Sequence, residues 1–293
     1  MASDRSIMPH KLAVLIDADN AQPSRIGPLL LEIARYGTAC IKRAYGDWTG
    51  TSLNGWKGQL LQQAIQPIQQ FAYTHGKNAT DSAMIIDAMD LLYAHRFDGF
   101  CLVSSDSDFT RLAMRIREAG LVVYGIGDRR TPPPFVTACN RFMYVENLVS
   151  HEVQPAAHPT AHPAAHPTTH PAVHQEAHHE EPHKGHEQGH PPHTLRIVAP
   201  QNHVSATQVS KDSELQSRLR SAVDASSHNG DWAVLSRVAS ILIQRHPDFD
   251  SRNYGYHKFS DLITATSLFD IRRKGEAGDI YIRAKGQGHA TSN

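Results

Sequence analysis

The sequence is poor in cysteine and has no excess of charge of either sign. Three cysteines occur in 293 residues, far apart at Cys40, Cys101 and Cys139. Each lies in or beside apolar sequence, which is typical of buried thiols in a reducing compartment and not of a disulfide framework or a zinc site. Lys plus Arg and Asp plus Glu both number 29. No global basic field therefore indicates nucleic-acid binding, and any such role must depend on local patches.

Long hydrophobic runs are also missing. No stretch approaches the ~20 apolar residues of a membrane-spanning helix, and residues 1–9 lack the apolar core of a signal peptide. We therefore expect a cytoplasmic protein with no membrane contact. The length of 293 residues predicts two domains, each large enough to bury a core of its own.

Short apolar runs alternate with amphipathic segments over the first half of the chain. Residues 12–16 (LAVLI) and 100–103 (FCLV) are typical of strands buried on both faces, as in a parallel sheet. Segments with helical spacing of apolar residues lie between such strands. This alternation predicts an α/β fold with a parallel sheet flanked by helices. The other predicted strands cover residues 40–45, 68–73, 121–127 and 142–145.

Both of these buried strands end in acidic residues. Asp17 directly follows the first strand, and Asp106 and Asp108 follow the second after two serines. In an open α/β sheet, ligands bind in the crevice beyond the carboxyl ends of the strands, so these carboxylates are expected to meet in one site. Asp81, which follows a loop and lies at the start of a predicted helix, is expected to add a fourth.

Such a cluster of carboxylates has a direct electrostatic consequence. Like charges raise one another's pKa, so the acids need a compensating cation to stay ionised together. Oxygen ligands without His or Cys favour Mg²⁺ or Mn²⁺, which can activate water for attack on a phosphodiester. The alternative is that each acid only caps a helix and faces solvent. One cap needs one such residue, whereas residues 104–108 (SSDSD) form an unbroken run.

The composition changes completely after residue 150. Histidines recur every four residues, and the first four of them each precede a proline that forbids a continuous helix. Because large apolar side chains are nearly absent, we predict a disordered linker over residues 151–205. The tract is either a simple tether or a site for metal ions such as zinc. The repeated histidines are His158, His162, His166, His170, His174 and His178.

A second domain is predicted over residues 210–286. Three segments with helical apolar spacing are followed by two short strands that flank Gly275 and Gly278, which indicates a β-hairpin. Three helices followed by a hairpin predict a small winged-helix domain. The basic residues of the hairpin are the candidate contacts for RNA, although charges on a wing are often only solvated. They are Arg272, Arg273, Lys274, Arg283 and Lys285.

Three motifs of the first domain occur together in a known family. They are residues 15–20 (LIDADN), 77–81 (KNATD) and 104–109 (SSDSDF). With them, residues 10–148 resemble the NYN family of PIN-like ribonuclease domains. The resemblance implies a metal-dependent RNA nuclease fold in which four carboxylates surround the ion, two polar residues assist and a lysine holds a phosphate. These residues are Asp17, Asp81, Asp106 and Asp108, then Asn20 and Ser105, then Lys77.

The second domain carries a resemblance of its own. Residues 254–263 (YGYHKFSDLI), with Trp232 and Phe249 upstream, are similar to the OST-HTH (LOTUS) domain, a winged helix. The resemblance implies RNA binding or docking to a protein partner. Phe259, Leu262 and Ile263 are expected to be core residues and not contact residues, because of their apolar helical spacing.

Taken together, these features predict a Mg²⁺- or Mn²⁺-dependent ribonuclease. One alternative is a catalytically inactive RNA-binding or adaptor protein that keeps the acidic pocket. The other follows from the resemblance of residues 17–19 (DAD) to the nucleophile motif of haloacid-dehalogenase-type phosphatases. In that case Asp17 forms an aspartyl-phosphate and Asp19 acts as the general acid.

Overall fold

The computed structural model describes residues 10–71, 79–148, 209–227, 231–274 and 279–285. The linker predicted over residues 151–205 and the predicted phosphate-binding residue Lys77 both lie outside the described residues. Within that part of the chain, no helix is both long and apolar enough to cross a bilayer.

The N-terminal region is built on one six-stranded sheet in which every pairing is parallel. The strand order is β3-β2-β1-β4-β5-β6, so the chain moves outward from β1 to one side and from β4 to the other. The boundary between β1 and β4 is therefore the topological switch point, where ligands bind in such sheets. The strands are β1 (Lys11–Asp17), β2 (Thr38–Gly46), β3 (Gln66–Gln69), β4 (Gly99–Val103), β5 (Val122–Gly127) and β6 (Arg141–Tyr144).

Helices cover both faces of this sheet. One core cluster packs α3, α4 and α5 against the sheet, and a second packs α1 and α2 against the opposite face. Because both faces are covered, all of β4 and all but the first residue of β1 are buried. This confirms the predicted parallel sheet flanked by helices. The helices are α1 (Ile26–Ile33), α2 (Trp56–Gln62), α3 (Ala79–Tyr93), α4 (Thr110–Glu118) and α5 (Pro133–Ala138).

The cysteines are only partly as predicted. Cys101 and Cys139 are buried free thiols, but Cys40 is exposed. Cys40 lies in the first half of β2, where exposed residues alternate with half-buried ones. β3 pairs only with Arg43 to Gly46 of β2, so the earlier residues of β2 are an open edge.

In its described residues, the C-terminal region contains three α-helices and a small antiparallel sheet of order β7-β9-β8. This confirms the predicted small winged-helix architecture. The structure adds one strand to the predicted hairpin: Val234 pairs with Tyr281, directly before the helix that begins at Leu235. The elements are α6 (Ser213–Ser226), β7 (Ala233–Val234), α7 (Leu235–Arg245), α8 (Phe259–Thr266), β8 (Phe269–Lys274) and β9 (Asp279–Ala284).

The C-terminal core follows the predicted apolar spacing. Leu262 and Ile263 of α8 are almost fully buried, and Phe259 packs against the same cluster. At the start of α6, the Asp212 carboxylate accepts the Leu215 backbone N–H at 2.9 Å and so caps the helix. The N-terminal and C-terminal regions together form one compact unit.

Candidate metal centre

Three carboxylates meet at the carboxyl edge of the sheet, beside the switch point. One oxygen from each of Asp81, Asp106 and Asp108 lies within 4.8 Å of the other two. We call these residues the acidic triad. Asp106 follows β4, and its Oδ1 accepts the Asp108 N–H at 2.9 Å, which caps the short turn before α4 and orients both residues. Asp81 lies in the first turn of α3, where the helix dipole favours negative charge.

Asp17 lies beside the triad but is not part of it. Its side chain is held by hydrogen bonds at 2.7 Å from the Ser104 hydroxyl and at 2.7 Å from the Asn20 side-chain amide. Asp17 is only 1% exposed. Burial raises the pKa of Asp17 above its usual value, although the hydrogen bonds from Asn20 and Ser104 oppose that effect. The negative charge of Asp17 is one of the influences that raise the pKa of Asp81.

The electrostatics of the triad fit a bound cation. Burial, followed by the negative charges of Asp17, Asp106, Asp108 and Asp19, raises the pKa of Asp81 to about 6. A divalent ion among the three carboxylates would offset this repulsion. All the donors are oxygen atoms, which suit a hard ion such as Mg²⁺ or Mn²⁺.

The predicted assisting residues have structural partners of their own. The Asn20 amide is used by Asp17, and the Ser105 hydroxyl accepts the Asp128 backbone N–H at 2.8 Å. Both residues shape the edge of the site and do not join the triad. Asp87, six residues after Asp81, is paired with Arg43 and Tyr45 of β2, and so belongs to the contact between α3 and the sheet.

Sequence reasoning gave no role to two hydroxyl residues that organise this edge, Ser104 and Thr80. Ser104 donates to Asp17 and accepts the Asp106 N–H at 3.1 Å, which links the ends of β1 and β4. Asp19 accepts a hydrogen bond at 2.8 Å from the Thr80 hydroxyl and so connects β1 to the start of α3. The available signal was local: Ser104 directly follows a buried strand, and Thr80 directly precedes Asp81.

A cleft lies between α1 and the ends of β4 and β5, and its lining includes Ser104 and Ser105, which directly precede Asp106. Apolar and polar side chains both line it, a combination typical of ligand sites. The apolar residues of the cleft include Ile26, Leu29, Val103, Ile126 and Val145, and the polar ones include Asn20, Gln22, Arg25, Ser105 and Asp128.

Four of the five predicted basic residues of the wing are exposed, and the fifth, Arg283, is half-buried and paired with Asp270. Arg272, Arg273 and Lys274 all lie on β8 with exposed side chains. The guanidinium carbons of Arg272 and Arg283 lie 4.4 Å and 4.9 Å from the centre of the Trp232 ring, within the range of a cation–π contact. A basic strand beside an aromatic ring is a surface on which single-stranded nucleic acid can bind.

Comparison with known proteins divides the chain in the same way. The NYN domain model matches residues 11–146, and the OST-HTH/LOTUS domain model matches residues 210–281. No curated protein matches the chain.

Two solved structures are similar to parts of it. One is the crystal structure of a protein of unknown function from Vibrio parahaemolyticus, with 19% identity and a TM-score of 0.40 over 48% of this chain and 94% of that one. The other is the solution NMR structure of an uncharacterized protein from Nitrosomonas europaea, with 30% identity and a TM-score of 0.24 over 36% of this chain and 99% of that one. The two domain models show that this chain contains an NYN domain followed by an OST-HTH/LOTUS domain.

Proposed function

We propose that this protein is a ribonuclease that hydrolyses RNA phosphodiester bonds at the acidic triad with Mg²⁺ or Mn²⁺. An NYN domain joined to an OST-HTH/LOTUS domain fits an RNA-related nuclease. The observation that supports a metal-dependent site is the acidic triad, in which one carboxylate oxygen from each residue lies within 4.8 Å of the other two. No nucleophilic side chain needs to be invoked, because water can be the attacking group.

The residues of the site divide into two groups. Asp81, Asp106 and Asp108 would hold the cation, which when bound lowers the pKa of a water molecule and neutralises charge on the phosphodiester. Beside them, the Asp17 carboxylate accepts hydrogen bonds from Ser104 and Asn20. The bond from Ser104 connects the end of β1 to the end of β4, so the carboxylates are positioned before the substrate binds.

A cleavage assay tests the proposal directly. Purified protein is incubated with labelled single-stranded and double-stranded RNA in Mg²⁺, in Mn²⁺ or in EDTA. We expect cleavage with one of the ions and none in EDTA. Cleavage that persists in EDTA would contradict the role of the metal, and no cleavage in any buffer would favour the inactive RNA-binding or adaptor protein. Metal binding is measured separately by thermal unfolding, since an ion at 100 times its Kd stabilises the folded state by about 2.7 kcal/mol.

The phosphatase alternative requires a reactive carboxylate at Asp17. That side chain is 1% exposed and already accepts hydrogen bonds from Ser104 and Asn20, which leaves little access for a phosphoryl group. Trapping of a covalent phosphate on Asp17 would nevertheless establish that chemistry. We expect no such adduct.

We also propose that the wing of the C-terminal domain supplies much of the RNA affinity. Reversing charge in the variant Arg272→Glu/Arg273→Glu should weaken binding of long RNA to the full chain. Each lost phosphate contact with single-stranded RNA should make the plot of log binding constant against log salt concentration less steep by roughly 0.7. Cleavage of a short oligonucleotide at saturation should change little, because the wing does not contact the reacting phosphate. Filter binding over a range of salt concentrations measures the RNA affinity and its salt dependence.

The matched control for this experiment is Lys211→Glu/Arg220→Glu. It makes the same charge change at two exposed positions of the same domain, in or beside α6. If the wing variant binds RNA with the affinity and salt slope of the control, the C-terminal domain is better explained as a module that docks a protein partner.

A further inference from the structure

The C-terminal domain covers the open edge of the N-terminal sheet. β6 is the last strand of that sheet, and the Phe142 backbone N–H donates to the Pro247 carbonyl at 2.8 Å. Next to this bond, the Tyr144 hydroxyl donates to the Asp248 carboxylate at 3.2 Å. We call residues 247–254, between α7 and α8, the docking segment. Edge strands left unpaired are prone to pair with other chains, and here the chain covers its own edge.

A buried ion pair anchors the docking segment. The Arg252 guanidinium donates to Glu32 of α1 at 3.0 Å and to Asp250 at 2.7 Å. Glu32 is 6% exposed. Burial alone would raise the pKa of Glu32, but Arg252 holds it below its usual value. Without Arg252, a carboxylate in this position would lose its main interdomain partner, which is costly for a buried charge. The docked arrangement therefore depends on Arg252 to compensate the buried charge of Glu32.

A chain of contacts leads from the docking segment to the candidate metal centre. The Asn253 side-chain oxygen accepts hydrogen bonds from Asn147 at 2.7 Å and from Arg129 at 3.2 Å. The Arg129 guanidinium also lies 4.9 Å from the centre of the Tyr144 ring. Arg129 is thus held by the C-terminal domain on one side and by β6 and its following turn on the other.

The loop that follows β5 completes this path. Asp128 precedes Arg129, lines the cleft between α1 and the ends of β4 and β5, and donates its backbone N–H to Ser105 at 2.8 Å. Ser105 in turn directly precedes Asp106 of the triad. The loop of residues 128–131 is therefore tied to the docking segment at Arg129 and to the metal centre at Asp128.

We infer that the C-terminal domain positions the cleft wall of the NYN domain, with Arg252 as its anchor and the Asn253–Arg129 contact as the link to the loop. Arg252, Asn253 and Arg129 are positioning residues, because none of them belongs to the triad. The expected effect on substrate binding rests on the proposed ribonuclease function, whereas the link between the C-terminal domain and the loop of residues 128–131 does not. The C-terminal domain thus takes part in forming the substrate cleft in addition to any RNA binding through its wing.

Hydrogen exchange of the full chain, followed by mass spectrometry, separates the two steps. In Arg252→Ala, we expect faster exchange both at the Phe142 amide, where docking is lost, and in residues 128–131. In Asn253→Ala, the anchor remains, so Phe142 should stay protected while residues 128–131 exchange faster. The control is Arg237→Ala, which removes an exposed arginine of the same domain and should match the parent at both places.

Steady-state kinetics then test the consequence for the substrate. Arg252→Ala and Asn253→Ala should each raise the KM for a short RNA by about fivefold, the scale of coupling between distinct sites. The metal dependence and kcat should change much less, because the triad is untouched. The control should keep the parental KM.

Specific outcomes would overturn this inference. Unchanged protection of Phe142 in a folded Arg252→Ala variant would show that Arg252 is not the anchor, and an unprotected Phe142 amide in the parent would show that the domains do not dock in solution. Unchanged exchange of residues 128–131 in Asn253→Ala would show that the loop is not held from outside. Faster exchange of residues 128–131 with an unchanged KM would show that the position of this loop does not affect substrate binding. If the parent cleaves no RNA, the proposed function fails, while the exchange results still decide the coupling.

Discussion

Replacing Asp106 with asparagine is expected to reduce metal-dependent RNA cleavage by about a thousandfold. A catalytic cation supplies several kcal/mol of transition-state stabilisation, and each ~1.4 kcal/mol corresponds to a factor of ten in rate. Asp106 is one of the three carboxylates within 4.8 Å of one another, so its loss leaves two charged ligands for the ion. The rate should be measured at saturating RNA with and without added Mn²⁺.

The fold of the Asp106→Asn variant should be preserved. Asparagine is as good a helix cap as aspartate, and its side-chain oxygen can still accept the Asp108 N–H that Asp106 accepts at 2.9 Å. The metal-free variant should even unfold at a slightly higher temperature, because one of the charges that repel Asp81 has been removed. The stabilisation that Mn²⁺ provides to the parent should largely disappear.

Asp90→Asn is the matched control for this experiment. Asp90 lies on α3 like Asp81, but its side chain is exposed and it does not belong to the acidic triad. The same chemical change there should leave both cleavage and the response to Mn²⁺ intact. Full activity of Asp106→Asn would show that the chemistry takes place elsewhere on the protein.

Replacing Asp87 with asparagine is expected to destabilise the protein by about 3 kcal/mol without loss of the metal site. Asp87 accepts hydrogen bonds from Arg43 and from the hydroxyl of Tyr45, which is 0% exposed. The pKa of Arg43 is raised, because its hydrogen bond and its attraction to Asp87 outweigh the opposing effect of burial. Breaking a largely buried charged pair by changing one partner costs about 3 to 5 kcal/mol.

Urea unfolding measures this loss, and Asp90→Asn again serves as the control for an acid-to-amide change on the same helix. The affinity for Mn²⁺ should equal that of the parent, because Asp87 pairs with β2 and not with the triad. A large loss of Mn²⁺ affinity with unchanged stability would reverse this assignment and make Asp87 part of the metal site.

Much of the fold follows from local patterns in the sequence. Buried strands such as β1 and β4 are marked by short apolar runs, and a parallel sheet covered on both faces is the arrangement that buries them. Acidic residues directly after such strands lie at the carboxyl edge of the sheet whatever the details of packing. The sequence alone therefore indicated an acidic site that includes Asp106 and Asp108, and its motifs indicated both domains.

The exact membership of the site depended on tertiary contacts. The sequence predicted four carboxylates around one ion; oxygens of three of them lie within 4.8 Å of one another, and the fourth, Asp17, accepts hydrogen bonds from Ser104 and Asn20. Asp81 and Asp87 lie on the same helix, yet Asp81 is a member of the triad and Asp87 pairs with β2. Spacing along a helix gives the angle between two side chains, whereas the packing of that helix against the sheet decides what each side chain meets.

The contact between the domains was beyond any local pattern. Glu32 and Arg252 are 220 positions apart in the chain, and neither residue lies in a motif. From the sequence alone, Glu32 cannot be distinguished from a glutamate on the surface of a helix. Burial and pairing are properties of the assembled chain. The sequence by itself determined the strands, the acidic edge and the two domains. Only the tertiary structure decided which carboxylates form the triad and that the second domain docks against β6 and α1.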